Sequence, residues 1–235
     1  PNITDERGFT LDLGVRGRLK SFLSYELGVF NLNYDGRLGE VLRAETRLNA
    51  DGEEVETGRV IRFRGNIGRA QMFGLESLLD WNIQRTLLAQ FDKLRLKAFV
   101  NAAFIGSEYV ASEIPGVVGN QVEFIPNTNI KTGVNFGWGN LLGSLQYTYL
   151  SEQFTDASNA PQDITDNQSG IRGTIPAYQI VDLSLSYTYR SLRLETGINN
   201  LLNAFYFTRR ATGYPGPGII PSAPRSWYAV LQVKI

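Results

Sequence analysis

The sequence predicts an all-β fold, an antiparallel transmembrane β-barrel whose strands cross the bilayer. Apolar and polar residues alternate along most of the chain, the reversals between these runs are short at one set of ends and long at the other, and aromatic residues gather at both ends. A length of 235 residues with 24 Gly, 43% apolar and 11% aromatic residues suits one large domain of many strands and turns. No stretch approaches the roughly 18 unbroken apolar residues of a membrane helix.

Residues 8 to 18 set Phe9, Leu11, Leu13 and Val15 against Thr10, Asp12, Gly14 and Arg16, then reverse at 19 to 21. The run from 22 to 34 begins with Leu23, Tyr25, Leu27 and Val29 on one face and changes phase to Phe30, Leu32 and Tyr34. A β-bulge near Gly28 is expected to reconcile the halves. The polar stretch through Arg43, Glu45, Arg47 and Asp51 to Glu56 reads as a surface loop with strand extensions at its ends. A third strand descends to about residue 82 with Phe73, Leu75, Leu79 and Trp81 opposite Gly74, Glu76 and Asp80. The turn from 83 to 93 is longer than its counterparts, with a short helix expected over Leu87 to Phe91.

Residues 94 to 106 form a fourth strand, and 107 to 126 a loop with its tip at Ile114 to Asn120. The fifth, 128 to 138, reverses at Gly139 and Asn140 into a sixth carrying Leu141, Leu145, Tyr147 and Tyr149. Residues 151 to 173 are polar and aperiodic, as befits a mobile loop. Then Val181, Leu183, Leu185, Tyr187 and Tyr189 alternate with Asp182, Ser184, Ser186 and Thr188, and a reversal at 190 to 191 leads into Leu192, Leu194 and Ile198. The prolines and glycines from 207 to 221 predict an irregular segment without ladder pairing. A closing strand from Arg225 to Ile235 places Trp227, Leu231, Val233 and Ile235 on one face and Tyr228, Gln232 and Lys234 on the other.

Nine strands result, with Trp81, Trp138, Tyr187 and Tyr189 at the short-turn ends and Tyr147, Tyr149 and Trp227 at the loop ends. Two aromatic bands are what a pair of membrane interfaces selects. Short turns face the periplasm and long loops the exterior in bacterial outer-membrane barrels, which puts Pro1 in an extracellular loop. Single-chain bacterial barrels generally have even strand numbers. Together with a first residue that is not Met, this leads us to expect an incomplete barrel.

The absence of Cys and His removes thiol chemistry and the commonest general base, so no enzyme is expected. Charge is balanced at 23 basic and 23 acidic residues, which points away from nucleic acid. No cofactor or metal site is expected, and the acidic run Asp51 to Glu56 lacks EF-hand spacing.

Gly197-Ile198-Asn199-Asn200-Leu201-Leu202-Asn203, the run from Tyr206 through Arg209, Arg210 and Tyr214 to Pro221, and the terminal amphipathic strand resemble the C-terminus of TonB-dependent outer-membrane receptors. The Gly74-Leu75-Glu76 triplet is similar to another recurrent feature of that family, and the loop motif resembles its ferric-citrate type. The resemblance implies that residues 1 to 235 are the C-terminal portion of a receptor barrel in the bacterial outer membrane, with the plug domain and N-terminal strands absent. It implies a ferric chelate as ligand, ferric citrate or another siderophore, outer-membrane lipid around the strands, and TonB acting through the missing plug. The fragment alone should then not transport.

Arg209 and Arg210, adjacent on an extracellular loop beside Tyr214, are candidates to bind an anionic chelate, since guanidinium groups grip carboxylates bidentately. Arg172 and Gln153 on the neighbouring loop are further candidates. A structural role is the alternative: loop arginines are often solvated or paired within their own loop. Glu76, Asp80, Arg95, Lys97, Lys131, Arg193 and Glu195 are expected to form a charged inner wall. A passive outer-membrane channel and a soluble β-sandwich binding module remain alternative readings.

Overall fold

A computed structural model gives the fold and describes residues 3–161, 170–211 and 218–234. Pro1, Tyr214 and Ile235, for which the sequence carried expectations, lie outside the described residues. The strands are β1 (Arg7–Leu19), β2 (Leu23–Leu48), β3 (Glu54–Asn82), β4 (Leu94–Ala111), β5 (Thr128–Trp138), β6 (Leu141–Leu150), β7 (Tyr178–Tyr189), β8 (Leu192–Asn199), β9 (Phe207–Ala211), β10 (Gly218–Pro221) and β11 (Ser226–Val233). Nine of them form one antiparallel sheet in the order β1-β2-β3-β4-β5-β6-β7-β8-β11, so it is a meander, open at β1 and β11.

The register sorts side chains as the alternation predicts. One row of directly paired residues runs Leu23, Trp81, Ala98, Val134, Leu145, Leu183, Ile198, Trp227. All share the apolar face. The row begins beside the short β1–β2 turn and ends beside a long loop, so neighbouring strands are staggered along their length, as closing a barrel requires. The outer face leaves large apolar side chains open, among them Leu13 at 73% exposure and Trp227 at 80%. In water such a surface would be a large apolar patch; in a bilayer it faces hydrocarbon.

Glycines let rings lie across neighbouring strands. A side chain at Gly197 would meet the Tyr228 ring within 2.6 to 2.7 Å, and one at Gly74 the Phe30 ring at similar distances. At the turns Lys20 and Arg190 take φ of 50° and 53°, closing the reversals after β1 and β7.

The structure corrects several expectations. The polar stretch from 43 to 56 is not a loop: β2 continues to Leu48 and β3 starts at Glu54. Only Asn49 to Glu53 turn, where the Asn49 side chain accepts from the backbone N–H of Asp51 and Glu53, both at 2.9 Å, and Gly52 takes φ 82°. No register shift occurs at Gly28, which pairs with Gly14 and Glu76; shifts fall instead between Tyr34 and Arg37 and between Ala44 and Thr46. The change of phase at Phe30 has another cause. Phe30, Leu32 and Tyr34 point inward and pack against a buried cluster at the loop end.

The helix in the β3–β4 turn, α1, spans Ile83–Leu87 rather than Leu87 to Phe91, because Asn82 caps it by accepting from Arg85 N–H at 3.1 Å. β4 runs on to Ala111, shortening the loop that follows. The segment from 207 to 221 does contain a ladder, with Ile219 opposite Arg210 and Ile220 opposite Arg209. Pro215 and Pro217 fall between its strands in sequence, and Pro221 ends β10, where the absent N–H removes little.

Beyond its last pairing with β1 at Asp35, β2 continues with β3 as a two-stranded ribbon over residues 36–48, roughly 40 Å long at about 3.3 Å per residue. Near the base of this ribbon the chain builds a conventional core of Val41, Ile67, Ala70, Met72, Tyr109, Val117, Val122 and Ala157.

Candidate binding face and inner wall

The inner face of the sheet carries the predicted charges. Glu76 pairs across with Ala103, Asp80 with Phe99, Lys97 with Asn135, Arg95 with Gly137, Lys131 with Thr148, Arg193 with Thr188 and Glu195 with Ser186. All seven lie opposite the apolar row. Arg193 and Glu195 form an ion pair at 2.6 Å, and Arg193 Nε donates to Ser186 Oγ at 3.0 Å. With Arg95, Lys97, Ser144 and Ser184 they line a hollow of about 680 Å³ at the short-turn end.

At the opposite end the loops fold over this face. Gln153 joins the chain at Ile175 through a backbone bridge of 3.0 and 2.8 Å. Thr155 Oγ1 donates to the Gly173 carbonyl at 2.8 Å and Thr174 Oγ1 to Glu152 Oε2 at 2.9 Å. Arg210 is 4% exposed; its Nε donates to the Thr174 carbonyl at 2.9 Å and its Nη1 to the Gly170 carbonyl at 2.8 Å. The guanidinium also sits 5.1 Å from the centre of the Phe207 ring. Gln153, Arg172 and Arg210 are thus gathered on one segment, residues 170–175. Arg209 lies beside them on β9 and is exposed, while Arg172 is half-buried. The adjacent arginines alternate across β9, so one is buried and the other turns to solvent.

A second polar group escaped the sequence reading. Tyr109 is fully buried and donates to Glu123 Oε2 at 2.8 Å, and Arg37 Nη2 stands 3.8 Å from Glu123 Oε1. Burial first, then the neighbouring Glu123 carboxylate, hold the Tyr109 phenol well above its ordinary pKa. Arg62 Nη1 binds Glu40 Oε2 at 2.6 Å and the Thr155 carbonyl at 3.3 Å. Asn159 accepts from Gln121 N–H and donates to the Gln121 carbonyl, both at 2.8 Å, riveting the loop after β6 to the loop after β4. The available signals were single polar residues spaced 14 to 93 apart in sequence. Periodicity carries no information at that range.

Known proteins place this arrangement. A family model described as TonB dependent receptor-like, beta-barrel matches residues 1–201. No curated protein matches the sequence. Among solved structures, the ferric citrate transporter FecA in its unliganded form superposes with a TM-score of 0.72 at 23% identity, over 96% of this chain and 31% of that one. The ferric yersiniabactin uptake receptor FyuA from Yersinia pestis gives 0.68 at 17% identity, over 97% and 30%. The copper transporter OprC gives 0.66 at 13%, over 99% and 32%. At these identities the likeness is one of fold, and the chain spans about a third of the length of each structure. With an apolar outside, a charged inside and folded loops at one end, the chain belongs to the TonB-dependent receptor β-barrel family of the bacterial outer membrane.

Proposed function

We propose that this chain is the C-terminal part of an outer-membrane receptor that takes up a ferric chelate, energised through TonB. The observation that carries the reading is the folded loop layer over a charged inner wall, which offers an anion a place to bind and a polar route beneath it. Solved structures with this fold include receptors for ferric citrate and for ferric yersiniabactin. A plug supplied by another part of the polypeptide would fill the barrel and present the TonB contact. A passive channel gains no support from buried, hydrogen-bonded loops, and a soluble sandwich none from an outer face as open as Leu13 and Trp227 make it.

In this reading Arg209 meets the chelate first, Arg172 and Gln153 lie on the adjoining wall, and Arg210 braces the loop that presents them. Exposed guanidinium groups attract an anion over a Debye length of about 8 to 10 Å, so their effect fades with salt. In the full-length receptor, Arg209→Ala should weaken ferric citrate binding at low ionic strength and much less at high, whereas Arg210→Ala should produce a loss that salt does not change. Equilibrium titration at two salt concentrations checks both. Unchanged affinity in Arg209→Ala would remove that residue from the site.

A further inference from the structure

Where the ribbon meets the loop after β6, it carries buried charged groups that the receptor reading does not use. Arg62 on β3 and Glu40 on β2 share one face of the ribbon, and their ion pair of 2.6 Å links its two strands. Arg62 Nη1 also reaches the Thr155 carbonyl, and the Ala157 N–H donates to the Glu40 carbonyl at 2.7 Å. Asp156 lies between these two contacts. It is fully buried; its Oδ1 accepts from the Ser158 N–H at 2.9 Å, but its Oδ2 has no hydrogen-bond partner among the described residues.

Arg62 has the complementary surplus. Its side chain is 11% exposed, and its buried Nε and Nη2 have no acceptor among the described residues. These two atoms form one edge of the guanidinium, the geometry that grips a carboxylate bidentately. A buried carboxylate oxygen without a donor and a buried guanidinium edge without an acceptor are each costly. Here both adjoin a single contact, the Thr155 carbonyl. Glu40, by contrast, is 30% exposed, so water can solvate it once its pair with Arg62 opens.

We propose that Arg62 is a positioning residue for the chelate face and acts by exchanging Glu40 for Asp156. In this structure it ties the two ribbon strands to each other. In the alternative arrangement its free edge binds Asp156 and ties the ribbon to the loop after β6. That loop leads to the binding face: Thr155 Oγ1 donates to the Gly173 carbonyl, Gln153 bridges to Ile175, and Arg210 holds the carbonyls of Gly170 and Thr174. Segment 170–175, with Arg172, is thus braced by the loop that Arg62 braces. The Asp156 pair is the arrangement that favours the chelate, and by linkage the chelate favours the Asp156 pair. This last step rests on the receptor reading, whereas the exchange of partners does not.

The test follows hydrogen exchange over residues 151–158 in the full-length receptor, where the Ala157 N–H reports docking of the loop on the ribbon. Glu40→Gln weakens the present pair and releases Arg62 to Asp156, so exchange should slow by roughly tenfold, within the range of such couplings. A merely structural ion pair predicts the opposite sign, faster exchange. The slowing should vanish when Glu40→Gln is combined with Asp156→Asn, and also when it is combined with Arg62→Lys, which keeps the charge without the bidentate edge. Heat-dependent gel mobility identifies any variant that is not a folded barrel. Faster exchange in Glu40→Gln, or the same slowing in all three backgrounds, overturns the exchange of partners. Titration with ferric citrate should show tighter binding in Glu40→Gln and weaker binding in Asp156→Asn. Unchanged affinity in both, with the slowing present, overturns the positioning role. If wild type binds no ferric citrate the receptor reading fails, and the ligand-free protection still decides the exchange.

Discussion

The wall of the sheet and the knot of loops above it solve opposite packing problems with one alternating chain. In the wall, apolar side chains point outward and charges inward, so Leu13 is open while Glu195 finds Arg193 beside it on the inner face of β8. In the knot, Ile67, Ala70 and Tyr109 turn to a dry interior made by the loops themselves. β2, β3 and β4 belong to both regions. The inner face of β2 is polar at Ser24 and Glu26 and apolar at Phe30, Leu32 and Tyr34, because below that level it faces the lumen and above it faces the knot. Inside and outside are therefore set by the surroundings at each depth, not by the strand.

The strongest way to break this comparison is to hollow out the knot. Tyr109→Ala should cost about 3 to 5 kcal/mol locally, the range for truncating a buried aromatic residue. The damage should appear as rapid proteolysis and hydrogen exchange in the loops after β4 and β6, with the heat-dependent gel mobility of the full-length barrel unchanged. Loss of the barrel itself would mean that knot and wall are one cooperative unit.

A smaller effect tests the wall. Leu185 lies on the outer face opposite Gly143 and Ser184 on the inner face opposite Ser144. Leu185→Arg in the full-length barrel should lose about 2 to 4 kcal/mol near the membrane midplane, and Ser184→Arg much less. Denaturant titration in vesicles measures both, and equal losses would contradict the assigned faces.

The smallest expected change sharpens the knot's chemistry. Tyr109→Phe leaves Glu123 Oε2 without its phenolic donor, a loss of about 1 to 3 kcal/mol for a buried acceptor. The raised phenol pKa also gives a pH signature. Its stabilising contribution is complete below the ordinary tyrosine value of about 10 and is lost as pH rises beyond it toward the folded value. Loop protection measured by hydrogen exchange should therefore decline above that point in wild type, with a weaker pH dependence in Tyr109→Phe.

The sequence by itself determined the wall: nine antiparallel strands, their faces and the seven inward charges follow from a period of two, because each strand face sees one environment over most of its length. It determined the family as well, through contiguous motifs such as Gly197 to Asn203. What only the tertiary structure decided lies where residues distant in sequence meet. The stretch from Arg43 to Glu56 read as a loop with strand extensions because it is rich in charged residues, and its strand character comes from the pairing of β2 with β3 and a turn closed by Asn49. The helix position depended on which residue capped it, and Asn82 offered the side chain. Arg209 and Arg210 look equivalent in the sequence. Their difference arises because carbonyls at Gly170 and Thr174, some forty residues away, meet only one of them, and hydrogen bonds between separate loops leave no periodic trace in either.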